Sequence, residues 1–315
     1  MRRPLVRLMV IAPLCGMLVA GLLSAAWLAL GSPTLAQGSI WFQVVRTGDS
    51  QFSNAPDKPF FFLVLGNDGR TDADKGLGDA IHVVGVNPAT HQATILNVPR
   101  DTTAPGGDKI NAYHALGGLP GIVDQLNKMM GIKISYAITT NFPGMIALVD
   151  EIGGIDTTIP AITANQDSVS LGGDRTWNDT FTGANFQPGP QHLTGTQTLA
   201  FARDRHDFNL LGDIARTGDQ AIIILSTLAM LRAQNPGDAG TLRLTAILAR
   251  HVRMMNVDPI ELFRLGRLAL SIDPANVKSI TIPVGSGPGT NLIVGGGGAA
   301  LFRDFADDGV VETAA

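Results

Sequence analysis

The chain has a single cysteine, Cys15, among 315 residues, which excludes a disulfide within it and a cysteine-rich zinc site. Charge is also scarce: Asp, Glu, Lys and Arg together make 16% of the residues, and aromatics 6%. Neither sign dominates, since 23 Lys and Arg against 27 Asp and Glu give a formal net charge of −4. Nucleic-acid binding leaves a basic footprint, so this balance argues for no nucleic acid among the partners. What is present is 45% hydrophobic residues with 37 Gly and 18 Pro, an ordinary globular composition rich in turns and not a disordered one. The length suits one large domain or two small ones.

The long hydrophobic run is at the N-terminus. Arg2, Arg3 and Arg7 precede an uncharged stretch from Leu8 to Leu30, and roughly 20 apolar residues suffice to cross a bilayer as a helix. The arginines predict a cytoplasmic tail at 1–7, a transmembrane helix at 8–30 and the remainder outside the membrane, a single-pass type II arrangement in the cell membrane. The competing reading is a cleaved signal peptide with Thr34-Leu35-Ala36 as its cleavage site, although the run is longer than a usual signal core. Residues 31–58 read as a linker, leaving 59–315 as the extracytoplasmic domain.

Within that domain Phe60–Leu65 is a continuous apolar run and predicts a buried strand. Ala80–Val86 and Ala93–Val98 predict two more, paired as a hairpin across a short turn at 87–92. A helix is expected near 119–130, a strand at Ile134–Thr139 and a helix at Pro143–Ile152, stopped by Gly153-Gly154. Residues 163–190 read as a long loop. Gln197–Arg203 reads as an amphipathic element running into a strand-like LAFAR. A long helix follows from Gly212-Asp213 to about Gln234. Further helices are expected within 238–254 and 258–271, strands at Val277–Pro283 and Asn291–Val294, and a last helix near 299–306. The mixture predicts an α/β fold, a mixed central sheet covered by helices on both faces in three layers.

The densest chemistry lies at 201–220, FARDRHDFNLLGDIARTGDQ. Arg203 and Arg205 are two apart, so on a strand they share a side. Arg216 and Gln220 are four apart, so on a helix they share a face. Asp213 is placed to cap that helix, whose N-terminus favours an anion. Arginine suits phosphate because its planar fork donates paired hydrogen bonds and keeps its charge. The bland alternative is a network paired with Asp204, Asp207 and Asp219. Asp68 follows the first strand and Asp79 precedes the second, so both are expected at one end of the sheet, where α/β proteins bind ligands. Two carboxylates there suit magnesium, though Asp is also an ordinary turn residue. Arg100 follows Pro99 at the end of the third strand, and Lys109 and Asn111 lie in the next loop. A surface salt bridge and a solvated lysine are their simpler readings.

Taken in order, VLGNDGR at 64–70, GDAIHVVGVNP at 78–88, NVPRD at 97–101, KIN at 109–111, VDEIGGIDTTIP at 149–160, LTGTQTLAFARDR at 193–205 and GDIARTGDQ at 212–220 resemble the LytR-CpsA-Psr family of cell-envelope enzymes. The resemblance covers about 60–235, and more weakly the rest. It implies a phosphotransferase that moves a glycopolymer phosphate from a polyprenyl-pyrophosphate carrier to peptidoglycan, with the lipid in an apolar cavity among the sheet and helices. Under it, Asp68 and Asp79 match the acids near magnesium, or manganese in its place. Arg100, Lys109, Arg203, Arg205, Arg216 and Gln220 match the pyrophosphate-binding set. Arg70, Asn111 and Asp213 join the substrate-binding candidates. Two departures stand out. Leu77 and Asp219 occupy positions where the family often has arginine. A polyprenyl-pyrophosphate hydrolase, with water as the acceptor, and a non-catalytic precursor-binding protein remain open as alternatives.

Overall fold

The computed structural model describes residues 42–48, 57–68, 76–161, 177–179, 182–204, 210–234 and 237–312; the side chains of 177–179, 210–213 and 247–251 are not among them. The expected transmembrane helix lies outside the described residues.

Strand β2 (Phe60–Asn67) alternates two apolar sets. Phe61, Leu63 and Leu65 face one core, and Phe60, Phe62 and Val64 face another. A strand with this pattern must be covered on both sides, which explains the continuous apolar run. β3 (Gly78–Asn87) pairs antiparallel with β2 and with β4 (Gln92–Asn97), forming the expected hairpin. β5 (Ile134–Asn141) runs parallel to β2 on its other side. β1 (Phe42–Arg46) adds antiparallel to β5. It lies in the stretch expected as a linker, whose Gly, Ser and Pro content obscures the short apolar alternation of Phe42 and Val44. β10 (Arg253–Met255) and β11 (Val277–Thr281) close the two edges, giving the mixed order β10-β1-β5-β2-β3-β4-β11.

Helix α1 (Ala112–Met130) covers one face with Ile122, Val123 and Leu126. It begins earlier than its apolar periodicity, because Gly118 (φ 61°) breaks the first turns from the rest. Helix α2 (Phe142–Glu151) starts directly after β5, capped by the Asn141 side chain. β6 (Ile155–Ile159) pairs with β9 (Gly189–Leu193), and β7 (Trp177–Asp179) with β8 (Ala184–Phe186). The stretch 163–190 is therefore not one loop: its apolar spacings are too short to register as periodic, yet Ala184, Phe186 and Leu193 bury against neighbouring helices.

Helix α3 (Gly195–Arg203) replaces the strand expected at LAFAR. A capping box decides it, with Thr194 accepting from the Gln197 N–H and Gln197 returning to the Thr194 N–H. Helix α4 (Leu210–Gln234) begins before Asp213, which is thus inside the helix and not its cap. Its segment Ile214–Gln234 is apolar and long enough to span a membrane, but it packs on α3, β6 and the sheet. Helices α5 (Gly237–His251) and α6 (Pro259–Ser271) follow, and after β12 (Val284–Ser286) and β13 (Leu292–Val294) comes α7 (Gly298–Asp308). α1 and α7 line one face of the sheet, α4 and α6 the other. The fold is a mixed sheet between two helical layers.

The α7 face is packed to contact at Gly85. A Cβ there would lie 2.4 Å from the Gly309 carbonyl oxygen and 2.7 Å from the Phe305 ring. Overpacking of this kind costs roughly 1–3 kcal/mol. Gly85→Ala is expected to lower the urea midpoint accordingly without changing the slope, as followed by circular dichroism.

Candidate active site

The opposite face of the sheet is packed only in part. A cavity of about 1120 Å³ lies between it and helices α4 and α6. Its body is apolar, formed by residues such as Phe62, Val84, Ile95, Leu228 and Leu265. Its mouth, at the ends of β2 and β3, is charged: Asp68, Asp79, Arg100, Asp101, Arg203 and Arg216 all line it, with Gln220 beside them.

Local structure explains each position. The β2–β3 register slips between Gly66 and Asn67, pairing Gly66 with Ala80 but Asn67 with Gly78. Asp79 is therefore the extra residue of a β-bulge, a device that re-aims a side chain at a strand end. Its Oδ1 accepts from Arg100 Nη1 at 2.7 Å, and the pair is about one-fifth exposed on each side. Asp68 is fixed by the backbone of Leu77, whose N–H donates to Asp68 Oδ1 at 2.8 Å and whose carbonyl accepts the Asp68 N–H at 3.3 Å. Leu77 therefore serves Asp68 through main-chain atoms that any residue but proline supplies.

Arg203 is the last residue of α3, with its guanidinium 4.8 Å from the centroid of the Phe142 ring, a cation–π contact that aims it. Arg203 ends a helix and not a strand, and Arg205 lies outside the described residues, as does Arg70. Arg216 is buried and reaches the Asp79 carbonyl at 3.4 Å. Gln220 donates to the Ala202 carbonyl at 2.9 Å, holding α4 against the end of α3. One helix face thus carries Arg216 and Gln220 to the mouth, as their spacing predicts.

Lys109 and Asn111 do not line the cavity. Lys109 Nζ bonds Asp101 Oδ1 at 2.8 Å and Thr290 at 2.9 Å. Asn111 is buried, its N–H bonding the Arg100 carbonyl and its carbonyl accepting from Gly78. It thereby ties Gly78, the neighbour of Asp79, to Arg100.

Two buried groups have displaced titrations. Burial lowers His82 to about 4, with Asn97 opposing, so the ring is neutral and Nδ1 faces Asn97 Oδ1 at 2.8 Å. The Asn97 amide continues to Ser279 at 2.9 Å, tying β3, β4 and β11 together. Burial, and then the Asp204 carboxylate, push Asp219 up to about 8. The acid standing where the resemblance implies an arginine therefore keeps its proton at neutral pH and adds no negative charge beside the mouth.

Among the described residues no group of three or more His, Cys, Asp and Glu is arranged to hold a metal. Asp68 and Asp79 at the mouth offer oxygen donors only. Such a pair fits magnesium, which takes one or two carboxylates and completes its shell with water and substrate phosphates. Sequence reasoning missed Phe142 and the bulge. The glycine at the start of β3, Gly78, was the available signal for the bulge; nothing local marks Phe142 as the ring beneath an arginine sixty residues later.

The family model described as the LytR_cpsA_psr family matches residues 43–298. The polyisoprenyl-teichoic acid–peptidoglycan teichoic acid transferase TagU of Bacillus cereus (strain AH820) is 34% identical over 167 residues, 50% of this chain and 50% of that protein. The chain spans about half the length of the curated relatives it matches. Bacillus subtilis TagV has a similar fold, with a TM-score of 0.64 at 23% identity over 79% of this chain and 96% of that one. So has YwtF (TagT) with bound octaprenyl pyrophosphate lipid, at 0.60 and 20% over 89% and 99%. The matched residues run from β1 to the start of α7, and the chain belongs to the LytR_cpsA_psr family.

Proposed function

We propose that the chain is a magnesium-dependent phosphotransferase of cell-wall assembly. It moves a glycopolymer phosphate from a polyprenyl-pyrophosphate carrier onto peptidoglycan, from an extracytoplasmic domain anchored in the cell membrane by residues 8–30. The observation that carries this reading is the joining of an apolar cavity of about 1120 Å³ to a mouth lined by arginines and carboxylates. An amphiphile with a long hydrocarbon and a polyanionic head matches both parts. The names of its relatives, and the octaprenyl pyrophosphate in one similar structure, agree with that substrate class.

In this mechanism the lipid fills the cavity and the pyrophosphate sits at the mouth. Arg100, Arg203 and Arg216 donate to its oxygens, and their fixed positions supply the charge stabilisation on which phosphoryl transfer depends. A peptidoglycan sugar hydroxyl attacks the phosphorus bonded to the glycopolymer. The new P–O bond forms as the bond to the lipid-side phosphate oxygen breaks, giving a phosphodiester and a polyprenyl phosphate. The hydroxyl proton passes to a carboxylate at the mouth, Asp68 or Asp79. Those two side chains would also hold the magnesium ion, which supplies positive charge to the pyrophosphate oxygens. Asp79 keeps Arg100 in place, and Phe142 keeps Arg203 in place. A protonated Asp219 leaves the charge balance at the mouth to the arginines.

Three outcomes test this. Incubating the full chain with a lipid-pyrophosphate saccharide and peptidoglycan is expected to yield linked polymer; free saccharide phosphate alone would instead identify a hydrolase. Loss of one charged hydrogen bond is worth roughly 1.5–3 kcal/mol, so Arg100→Ala and Arg203→Ala should each slow transfer about ten- to hundredfold. Unchanged rates would refute the site.

Chelation should stop transfer, and Asp68→Asn or Asp79→Asn should raise the magnesium concentration for half-maximal rate. Identical magnesium curves would remove both residues from the metal site.

Asp219 keeps a proton in the folded chain up to about pH 8 that an ordinary carboxyl, at 3.8, has lost. The folded state thus binds the extra proton between those values, and stability falls as pH rises through that window. Thermal melts across it should show Asp219→Asn losing part of the decline; parallel curves would mean that Asp219 is ionised in the fold.

A further inference from the structure

The cavity has a second end, remote from the carboxylates, and helix α6 lies there. β2, β5, β4 and β11 all begin at that end, at Phe60, Ile134, Gln92 and Val277. The first turn of α6 bonds to side chains of β1 and β5, and its last residue, Ser271, is followed by a short turn into β11. In the sheet, β5 and β11 are separated by β2, β3 and β4, a span of about 19 Å at the usual strand spacing. The helix has 13 residues, a length of about 20 Å. It is a bar laid under the strand ends with little length to spare.

A polar clamp pins the start of this bar. Tyr136 Oη donates to Glu261 Oε1 at 2.5 Å, and Arg46 pairs with Glu261 Oε2. Glu261 is 3% exposed, so its charge is taken almost wholly out of water. The far end is held more loosely, by Arg232 of α4 bonding Asp273 at 2.7 Å on the surface.

The clamp sits directly behind the apolar wall. The Tyr136 ring lines the cavity and meets Phe60 edge-on at 6.0 Å, and Leu262, Leu265 and Leu268 of α6 line it too. β2 has eight residues, so mouth and floor are roughly 25 Å apart. We infer that α6, held by Tyr136, Glu261 and Arg46, is the end stop that sets how long a polyprenyl chain the cavity accepts. The inference rests on the lipid reading above and adds a specificity element to it. A short chain never reaches Leu265 and Leu268, whereas a long one must pack on them or turn aside. Discrimination between chain lengths is then a difference in contacts made at the floor alone.

The test measures the affinity of the full chain, in detergent, for farnesyl, octaprenyl and undecaprenyl phosphate. Leu265→Trp fills the floor and should weaken undecaprenyl binding about tenfold while farnesyl binding stays within about twofold. Tyr136→Phe and Glu261→Gln release the bar and should change the octaprenyl-to-undecaprenyl ratio at least about threefold, again sparing farnesyl. If all folded variants keep the wild-type ratio, or if farnesyl binding falls in parallel, α6 is not the stop. Should the clamp variants fail to fold, Leu265→Trp, which leaves the clamp intact, decides alone. If the unaltered chain binds none of the three phosphates, the lipid reading falls and this inference with it; a length-dependent wild type with unaltered variants overturns the inference only.

Discussion

The central strands β2 and β3 are apolar on both faces, and water has to be kept off both. This constraint shapes everything else in the domain. On one face α1 and α7 meet it by direct packing, down to main-chain contact between Gly85 and Gly309. On the other face α4 and α6 pack on the strands only in part, and apolar side chains between them line a cavity. A closed core and a lined cavity are the two ways of covering the same alternating sequence, and this sheet uses one on each side.

The charged residues gather where that apolar requirement stops. At the ends of β2 and β3 the strands leave the sheet, and the bulge at Asp79 turns a carboxylate toward Arg100. Each cation has a brace: Arg100 the Asp79 carboxylate, Arg203 the Phe142 ring, Arg216 the Asp79 carbonyl. Arginines aimed in this way keep their donors near one mouth. Burial raises the Asp219 titration to about 8, which favours its neutral form on the helix that carries Arg216.

Much of this was legible along the chain. The apolar runs of β2, β3, β4 and β5 and the four-residue step from Arg216 to Gln220 are local patterns, and local patterns survive folding. The expected strand at LAFAR was not, because its apolar residues fit either period and the capping box at Thr194 and Gln197 decided for helix. β1 is short and its pairing partners lie far away in sequence, and β7 and β8 within 163–190 have only three residues each. Lys109 and Asn111 stand outside the cavity lining but next to it: Lys109 bonds Asp101, which lines the mouth, and Asn111 links Gly78 to Arg100.

The sequence by itself determined the α/β class, the order of its main elements and a set of acids and arginines of a kind suited to phosphate, because composition, periodicity and motif are properties of neighbouring residues. Only the tertiary structure decided which of those charges share one mouth, that the mouth opens on an apolar cavity, and that burial raises the Asp219 titration. Each of these depends on what lies within a few ångströms in space. Burial, bulge register and the span of α6 under the strands are fixed by residues tens to hundreds of positions apart, and no local pattern encodes them.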